Sequence, residues 1–415
     1  MKKVVYLLLS LLFLISFTSC SNKKDQENSS KLRLAMWDVN QEKVMKKIVE
    51  KYEKAHPNVK IQIEMASYPD HMTKLETEAQ GDTMPDIVYM NGPNFIKFAS
   101  NDLLTPLDDV IKEKNIDMSV FPDSLKELYT YEGKLYGIPK DWDLTALWYN
   151  KEIFDKKHVD YPTDDWTWDD FIKAAEKLTD KDEGIWGTSA KAMTQEGIYD
   201  TIPQCGGYII TDDMKHSGYD TKEALKGVNV WLDLIDRGIS PNLETMRDTV
   251  DTELFKAGKL AMIYSASWNV PEFMENENIK DKIDLVQMPL IKERKATIHG
   301  LSYCIPIKAK HKEEAKDFIS YLASDEANDM WAEAATVIPA NKNSLDKWEK
   351  AYPTINLKAF IDELDYSVMY PISKNTMVWN WLEDDAINEM FSRQKPADEV
   401  LKQLSEDMDT ALKNE

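Results

Sequence analysis

Adjacent acids are the first residues in this chain that invite a chemical reading. Asp164/Asp165, Asp169/Asp170 and Asp384/Asp385 suggest glycoside hydrolysis, which needs two carboxyls about 5–10 Å apart across a scissile bond. Neighbours in sequence do not point together, however. Each of these pairs falls at a helix start or on a solvated helix face, where acids favour the dipole or the solvent. The six histidines (His56, His71, His158, His216, His299, His311) have no metal-ligand spacing, and neither a GxSxG elbow nor a P-loop occurs. No catalytic set, cofactor or metal is expected. Two other features stand out. Twelve Trp, 18 Tyr and 12 Phe exceed what a core of this size requires and hint at stacking surfaces. Only five arginines occur (Arg33, Arg237, Arg247, Arg294, Arg393), too few for a site built on bidentate carboxylate or phosphate recognition.

The elements that position such residues follow from periodicity. Leu32 to Trp37 is a short apolar strand, and residues 41–55 carry Val44, Ile48 and Tyr52 at helical spacing until His56-Pro57. Val59, Ile61, Ile63 and Met65 alternate as a second strand, completing a βαβ unit. A helix around 70–80 and a strand from Pro85 to Met90 follow. Ligands of open α/β sheets bind beyond the carboxyl ends of the strands, which makes Trp37, Asp38 and Asn91, with Asn40 and Gln41 as polar fingers, candidates by position. Asn40 and Gln41 read equally as the first helix cap. Leu144 to Tyr149 is strand-like, and Thr167 is a plausible N-cap for a helix ending near Leu178. Residues 222–236 form an amphipathic helix. The last third is mainly helical, over 312–323, 325–335, 355–365, 376–391 and 397–412.

The N-terminus sets the compartment. Lys2 and Lys3 precede an apolar run from Val4 to Ile15, too short to span ~30 Å of hydrocarbon and read as a removed export signal. Thr18-Ser19-Cys20 resembles a lipoprotein signal, with Cys20 acylated, although Phe17 stands where such signals usually carry Leu. A plain soluble export signal is the alternative. Residues 21–31, SNKKDQENSSK, have no apolar side chain and suit a tether. The formal net charge of −22 argues against nucleic acid and anionic headgroups as partners. Cys205 and Cys304 read as buried free thiols.

Several motifs, in order, resemble the extracellular carbohydrate-binding (family 1) solute-binding proteins of ABC importers, the group that includes maltose-binding protein. They are Met84-Pro85-Asp86-Ile87-Val88 with Leu103 to Asp108, and Gly133 to Pro139 followed by Trp148-Tyr149-Asn150-Lys151. Trp166 to Phe171, Phe255 to Met262 with Trp268, Gly300-Leu301-Ser302, Glu314 to Ile319, and Ile338-Pro339-Ala340 complete the set. Asn101-Asp102 and Ala266-Ser267 replace glycines of the pattern. The resemblance implies an α/β, two-lobed periplasmic-binding-protein-like fold (type II), each lobe a helix-flanked sheet, joined by crossover hinge strands. The expected organisation is a signal over 1–19 and a lipid-anchored tether over 20–31. Lobe 1 is expected over 32–139 plus 292–340, and lobe 2 over 140–291 plus 341–415.

It also implies a site between the lobes. Asp143 falls where the family places a sugar-binding acid, and Asp141 and Trp142 flank the first crossing. Carboxylates accept paired hydrogen bonds from sugar hydroxyls while an aromatic face covers the C–H surface. Trp268 is carried over as a stacking residue, with a core tryptophan as the alternative. Trp379 and Trp381 are two apart and cannot share one helix face; Trp379 is taken for the site. Gly206, Gly207, His299 and Gly300 allow close backbone approach. Tyr208 and Tyr303 read equally as packing. The expected function is a monomeric lipoprotein on the extracytoplasmic face of the bacterial membrane, binding a neutral oligosaccharide for an ABC permease. A surface glycan adhesin and a secreted glycoside hydrolase are the alternatives.

Overall fold

The computed structural model describes residues 30–415; the signal, Cys20 and most of the tether lie outside the described residues. The first βαβ unit forms as its periodicity predicts. Strand Ser30–Met36 pairs in parallel with Val59–Met65, with Leu32 opposite Ile61 and Leu34 opposite Ile63. Between them helix Val39–Ala55 buries Val44, Met45, Ile48, Val49 and Tyr52. Strand Ile87–Asn91 is buried at every position, as expected of a strand covered on both faces.

The five-stranded sheet runs in the order Val59–Met65, Ser30–Met36, Ile87–Asn91, Leu301–Cys304, Gly137–Pro139. Its fourth strand comes from the last third of the chain and is antiparallel to both neighbours. The second lobe differs from the βαβ start of the first. Its sheet is antiparallel, with Thr145–Asn150 between Ile283–Val286 and Met262–Ala266. Helix Trp168–Leu178 packs there, opened by a reciprocal capping box between Thr167 and Asp170. Trp168 meets Trp231 edge-on at 5.4 Å and Trp231 meets Tyr264 at 5.0 Å. Six tryptophans (Trp142, Trp148, Trp231, Trp331, Trp348, Trp379) are fully buried. Half of the tryptophan enrichment therefore serves the cores and not a stacking surface.

Two segments cross side by side between the lobes. Asp143 N donates to His299 O at 2.7 Å and His299 N donates to Asp143 O at 3.2 Å, while Lys140 N donates to Leu301 O at 2.8 Å. A Cβ on Gly300 would lie 2.3 Å from Asp141 O, so only glycine lets the strands meet this closely. The return crossing comes later than the expected boundary at 292. Strand Ala296–Ile298 pairs with Ser367–Met369, and Thr297 bonds both Asp200 and Tyr199. The last boundary is also later than 341, because Ser344 and Lys347 bond Asp329 on helix Asp325–Glu333. In both cases local hydrogen bonding holds the segment to the preceding lobe.

Candidate functional site

A cavity of about 420 Å³ opens where the crossing strands meet the carboxyl end of the first sheet. Nine expected site residues line it: Trp37, Asp38, Asn40, Gln41, Asn91, Asp141, Asp143, Trp268 and His299. Tyr68, Gln195, Asn269, Val39 and Leu301 complete the lining. Tyr68 is the first residue of the helix after the second strand, so the strand-end rule that found Trp37 also reaches it. Gln195 sits in a π-helical turn, Thr194–Ile198, which leaves no periodic signal.

Each wall is built locally. Asp38 caps helix Val39–Ala55, accepting from Asn40 N at 2.8 Å through Oδ1 and from Gln41 Nε2 at 2.8 Å through Oδ2. Asn91 caps the helix that begins at Gly92, and Asn91 and Asn94 both donate to the Tyr68 hydroxyl at 3.0 Å. The Trp37 ring rests against Tyr68 at 5.5 Å, His71 at 5.0 Å and Tyr89 at 5.7 Å. Burial lowers the His71 pKa to about 4, which keeps that imidazole neutral behind the indole. On the other wall, Ser267 Oγ donates to Asp143 Oδ1 at 3.2 Å and Asn269 Nδ2 donates to Ser265 Oγ at 2.7 Å. Trp268 stands between them and is only partly buried.

Two buried polar atoms of lining residues, Gln41 Oε1 and His299 Nδ1, have no hydrogen-bond partner. His299 Nδ1 lies 3.7 Å from Asp143 Oδ2, beyond a hydrogen bond. Buried polar atoms are normally satisfied, and these two exceptions both belong to residues of the cavity wall. No lysine or arginine among the described residues lines the cavity. Among the described residues no cluster of three or more His, Cys, Asp or Glu side chains is placed to hold a metal ion.

Asp141 is a different case. Its Oδ2 pairs with Lys140 Nζ, and its Oδ1 accepts from Leu301 N at 2.7 Å. Burial, the main cause, and neighbouring Asp143 raise its pKa to about 6, against the pull of Lys140. Both oxygens are engaged by the protein, so Asp141 braces the crossing.

Six expected residues lie elsewhere. Trp142 is fully buried, flanked by crossing strands that leave its ring no path to the cavity. Trp379 is also fully buried, with Nε1 donating to Ser373 Oγ at 2.8 Å, whereas Trp381 is 69% exposed. Tyr303 packs edge-on to Tyr89 at 5.5 Å inside the first lobe. Gly206 is exposed, and Gly207 lines a separate cavity of about 270 Å³ with Tyr208 and Tyr370. Gly300 serves the close approach of the crossings and not the cavity. Cys205 and Cys304 are buried and unpaired.

The family model for bacterial extracellular solute-binding proteins matches residues 47–356. The chain belongs to that family. This solute-binding protein is 27% identical over 350 residues to the arabinooligosaccharide-binding protein of Bacillus subtilis, covering 80% of this chain and 79% of that one. It is 24% identical over 358 residues to the galactooligosaccharide-binding protein of the same organism, covering 82% and 81%. An ABC substrate-binding protein of Listeria monocytogenes, solved in complex with cycloalternan, superposes with a TM-score of 0.87 at 24% identity, over 93% of this chain and 99% of that one. The two-lobed α/β fold expected from the motifs is therefore the fold of this chain. Among the described residues no helix is long and apolar enough to cross a membrane.

Proposed function

We propose that this protein binds a neutral oligosaccharide in the cavity between its lobes and delivers it to an ABC permease. The observation that carries the reading is the cavity's chemistry. Two tryptophans, Trp37 and Trp268, share the space with Tyr68, His299 and a set of carboxylates and amides, and among the described residues no lysine or arginine joins them. Indole faces cover sugar C–H surfaces, and Asp143, Asn40, Gln41 and Gln195 exchange hydrogen bonds with hydroxyls. An anionic sugar would meet Asp38 and Asp143 without a guanidinium partner, at the lowered dielectric of a closed cleft. The names of the Bacillus relatives, both oligosaccharide-binding, support the same class. Closure around the sugar supplies the signal, because a permease that engages the closed form reads the fraction of closed molecules. Acylation at Cys20 holds the monomer at the outer face of the membrane, and the polar tether gives it reach.

A thermal-shift screen with arabino-, galacto- and malto-oligosaccharides and a uronic acid oligomer tests this. A ligand at 100 times its dissociation constant adds about 2.7 kcal/mol of stability. A neutral oligomer is expected to bind with an affinity that changes little with salt, to be recovered unchanged and to compact the protein in small-angle scattering. Tight, salt-sensitive binding of the uronate overturns the reading of the cavity. Conversion of the ligand would favour an enzyme, and binding without compaction an adhesin.

A further inference from the structure

Beside the cavity, and touching none of its space, lies a buried ionic cluster. Lys191 Nζ is 3.0 Å from Glu196 Oε2 and 2.8 Å from Asp251 Oδ2, and all three side chains are mostly or wholly withdrawn from solvent. Ser189 Oγ donates to the same Asp251 oxygen at 3.1 Å. The second oxygen of Glu196 does something else: its Oε1 accepts from the backbone N–H of Ala266 at 2.6 Å.

Those two contacts connect opposite parts of one wall. Glu196 belongs to the π-helical turn Thr194–Ile198, whose Gln195 lines the cavity. Ala266 ends strand Met262–Ala266 and leads directly into the short turn Ser267–Asn269 that carries Trp268. From the other side Ser267 N donates to Leu144 O at 3.1 Å, and Ser267 Oγ donates to Asp143. The Trp268 turn is thus held between Asp143 and Glu196. The π turn is itself seated tightly, since a Cβ on Gly197 would lie 2.8 Å from Lys191 O. π-helical turns are frequent at functional sites.

A buried ion pair is weak evidence for stability, because desolvation offsets its attraction. A geometric role accounts better for two carboxylates converging on one lysine while one of them spends its free oxygen on a turn amide. We propose that Glu196 is a positioning residue for ligand binding. Clamped by Lys191 and Asp251, it ties the Gln195 turn to the Trp268 turn and fixes the indole at the cavity edge. The proposal rests on the binding reading of the cavity, but the position of Trp268 is measurable without any ligand.

The experiment uses the full chain labelled with 5-fluorotryptophan, the Trp268 resonance being assigned from its loss in Trp268→Phe. In Glu196→Ala the Trp268 signal is expected to shift or broaden, while Trp231 and Trp379, deep in the cores, keep theirs. Glu196→Gln keeps one acceptor, enough for Ala266 N but not for Lys191 as well, and is expected to restore the parent signal in part. Glu196→Asp, a smaller perturbation of the fold whose shortened side chain cannot span both partners, should resemble Glu196→Ala and decides the matter if that variant does not fold. An unmoved Trp268 signal in Glu196→Asp overturns the proposal. Titration with the neutral oligosaccharide that the parent binds should then show about tenfold weaker affinity in Glu196→Asp, equivalent to ~1.4 kcal/mol, and a smaller loss in Glu196→Gln. Unchanged affinity beside a moved indole overturns the binding role of the clamp. If the parent binds none of the oligosaccharides, the function reading fails, and the fluorine spectra alone support or overturn the clamp.

Discussion

Replacing Lys140 with methionine tests the account of the first crossing. The Lys140 ammonium has no solvent exposure, and the Asp141 carboxylate it pairs with has almost none. The ammonium also stands over the Trp331 ring at 4.8 Å and the Tyr89 ring at 5.1 Å. Methionine refills most of that volume but leaves Asp141 with the Leu301 N–H as its remaining partner. Removing one member of a buried pair costs about 3–5 kcal/mol, because the remaining charge is uncompensated. Urea unfolding of Lys140→Met at pH 7.5 should show a loss in that range. The sign of the pH effect follows from Asp141, already raised to about 6 by burial and raised further without its lysine. Its folded pKa exceeds its unfolded value of about 3.9. The native state therefore holds a proton that the unfolded chain releases, and stability is gained as pH falls through the folded pKa. At pH 5 the deficit of Lys140→Met should shrink. Adding Asp141→Asn should recover most of it at pH 7.5. A loss under about 0.5 kcal/mol, the range of inert surface changes, or a deficit equal at both pH values would refute the reasoning.

Three further outcomes are expected. Trp268→Ala should weaken oligosaccharide binding by about 1–3 kcal/mol with little change in unfolding, whereas Trp379→Ala should lower stability by about 3–5 kcal/mol; calorimetric titration beside urea unfolding separates the two. Burial raises Asp200 and Glu383 to about 7 and Asp141 to about 6, so all three add protons to the native state above about pH 4. The melting temperature should therefore climb as pH falls from 8 to 5, and Glu383→Gln should flatten part of that slope; a midpoint that rises with pH would contradict it. Cys20→Ser should release the protein from membranes into the soluble fraction, since without an acyl chain nothing anchors the tether; retention with the membrane pellet would remove the lipoprotein reading.

Much of the first lobe was legible because its strands and helices follow simple periods, and strand ends then placed Trp37, Asp38 and Asn91. Asp143 was found by counting along a motif. The helix Thr376–Phe391 misled for a physical reason. It buries Glu383 against the Tyr199 and Tyr219 hydroxyls among Trp379, Ala386, Ile387 and Met390, and leaves Trp381 exposed, so neither tryptophan can be placed by residue type alone. Trp142 was taken for the site from its place beside Asp143 at the first crossing, whereas its ring is fully buried. Strand Leu301–Cys304 was not read as a strand at all. It is four residues long, and its partners are far away in sequence.

That last strand has a consequence for how the molecule comes into being. It sits inside the five-stranded sheet, next to its last strand, and its Ser302 meets Met90 across 212 positions of chain. A chain emerging from its N-terminus presents strands Ile87–Asn91 and Gly137–Pro139 long before the segment that joins them exists. Until then the first lobe has two unpaired edges, the kind of surface that recruits foreign strands. Closing a loop of that length is slow relative to local pairing. The sheet of the second lobe lies within residues 145–286, but its core still waits for Glu383, which bonds the Tyr199 and Tyr219 hydroxyls. Neither lobe is whole until the last third of the chain has appeared.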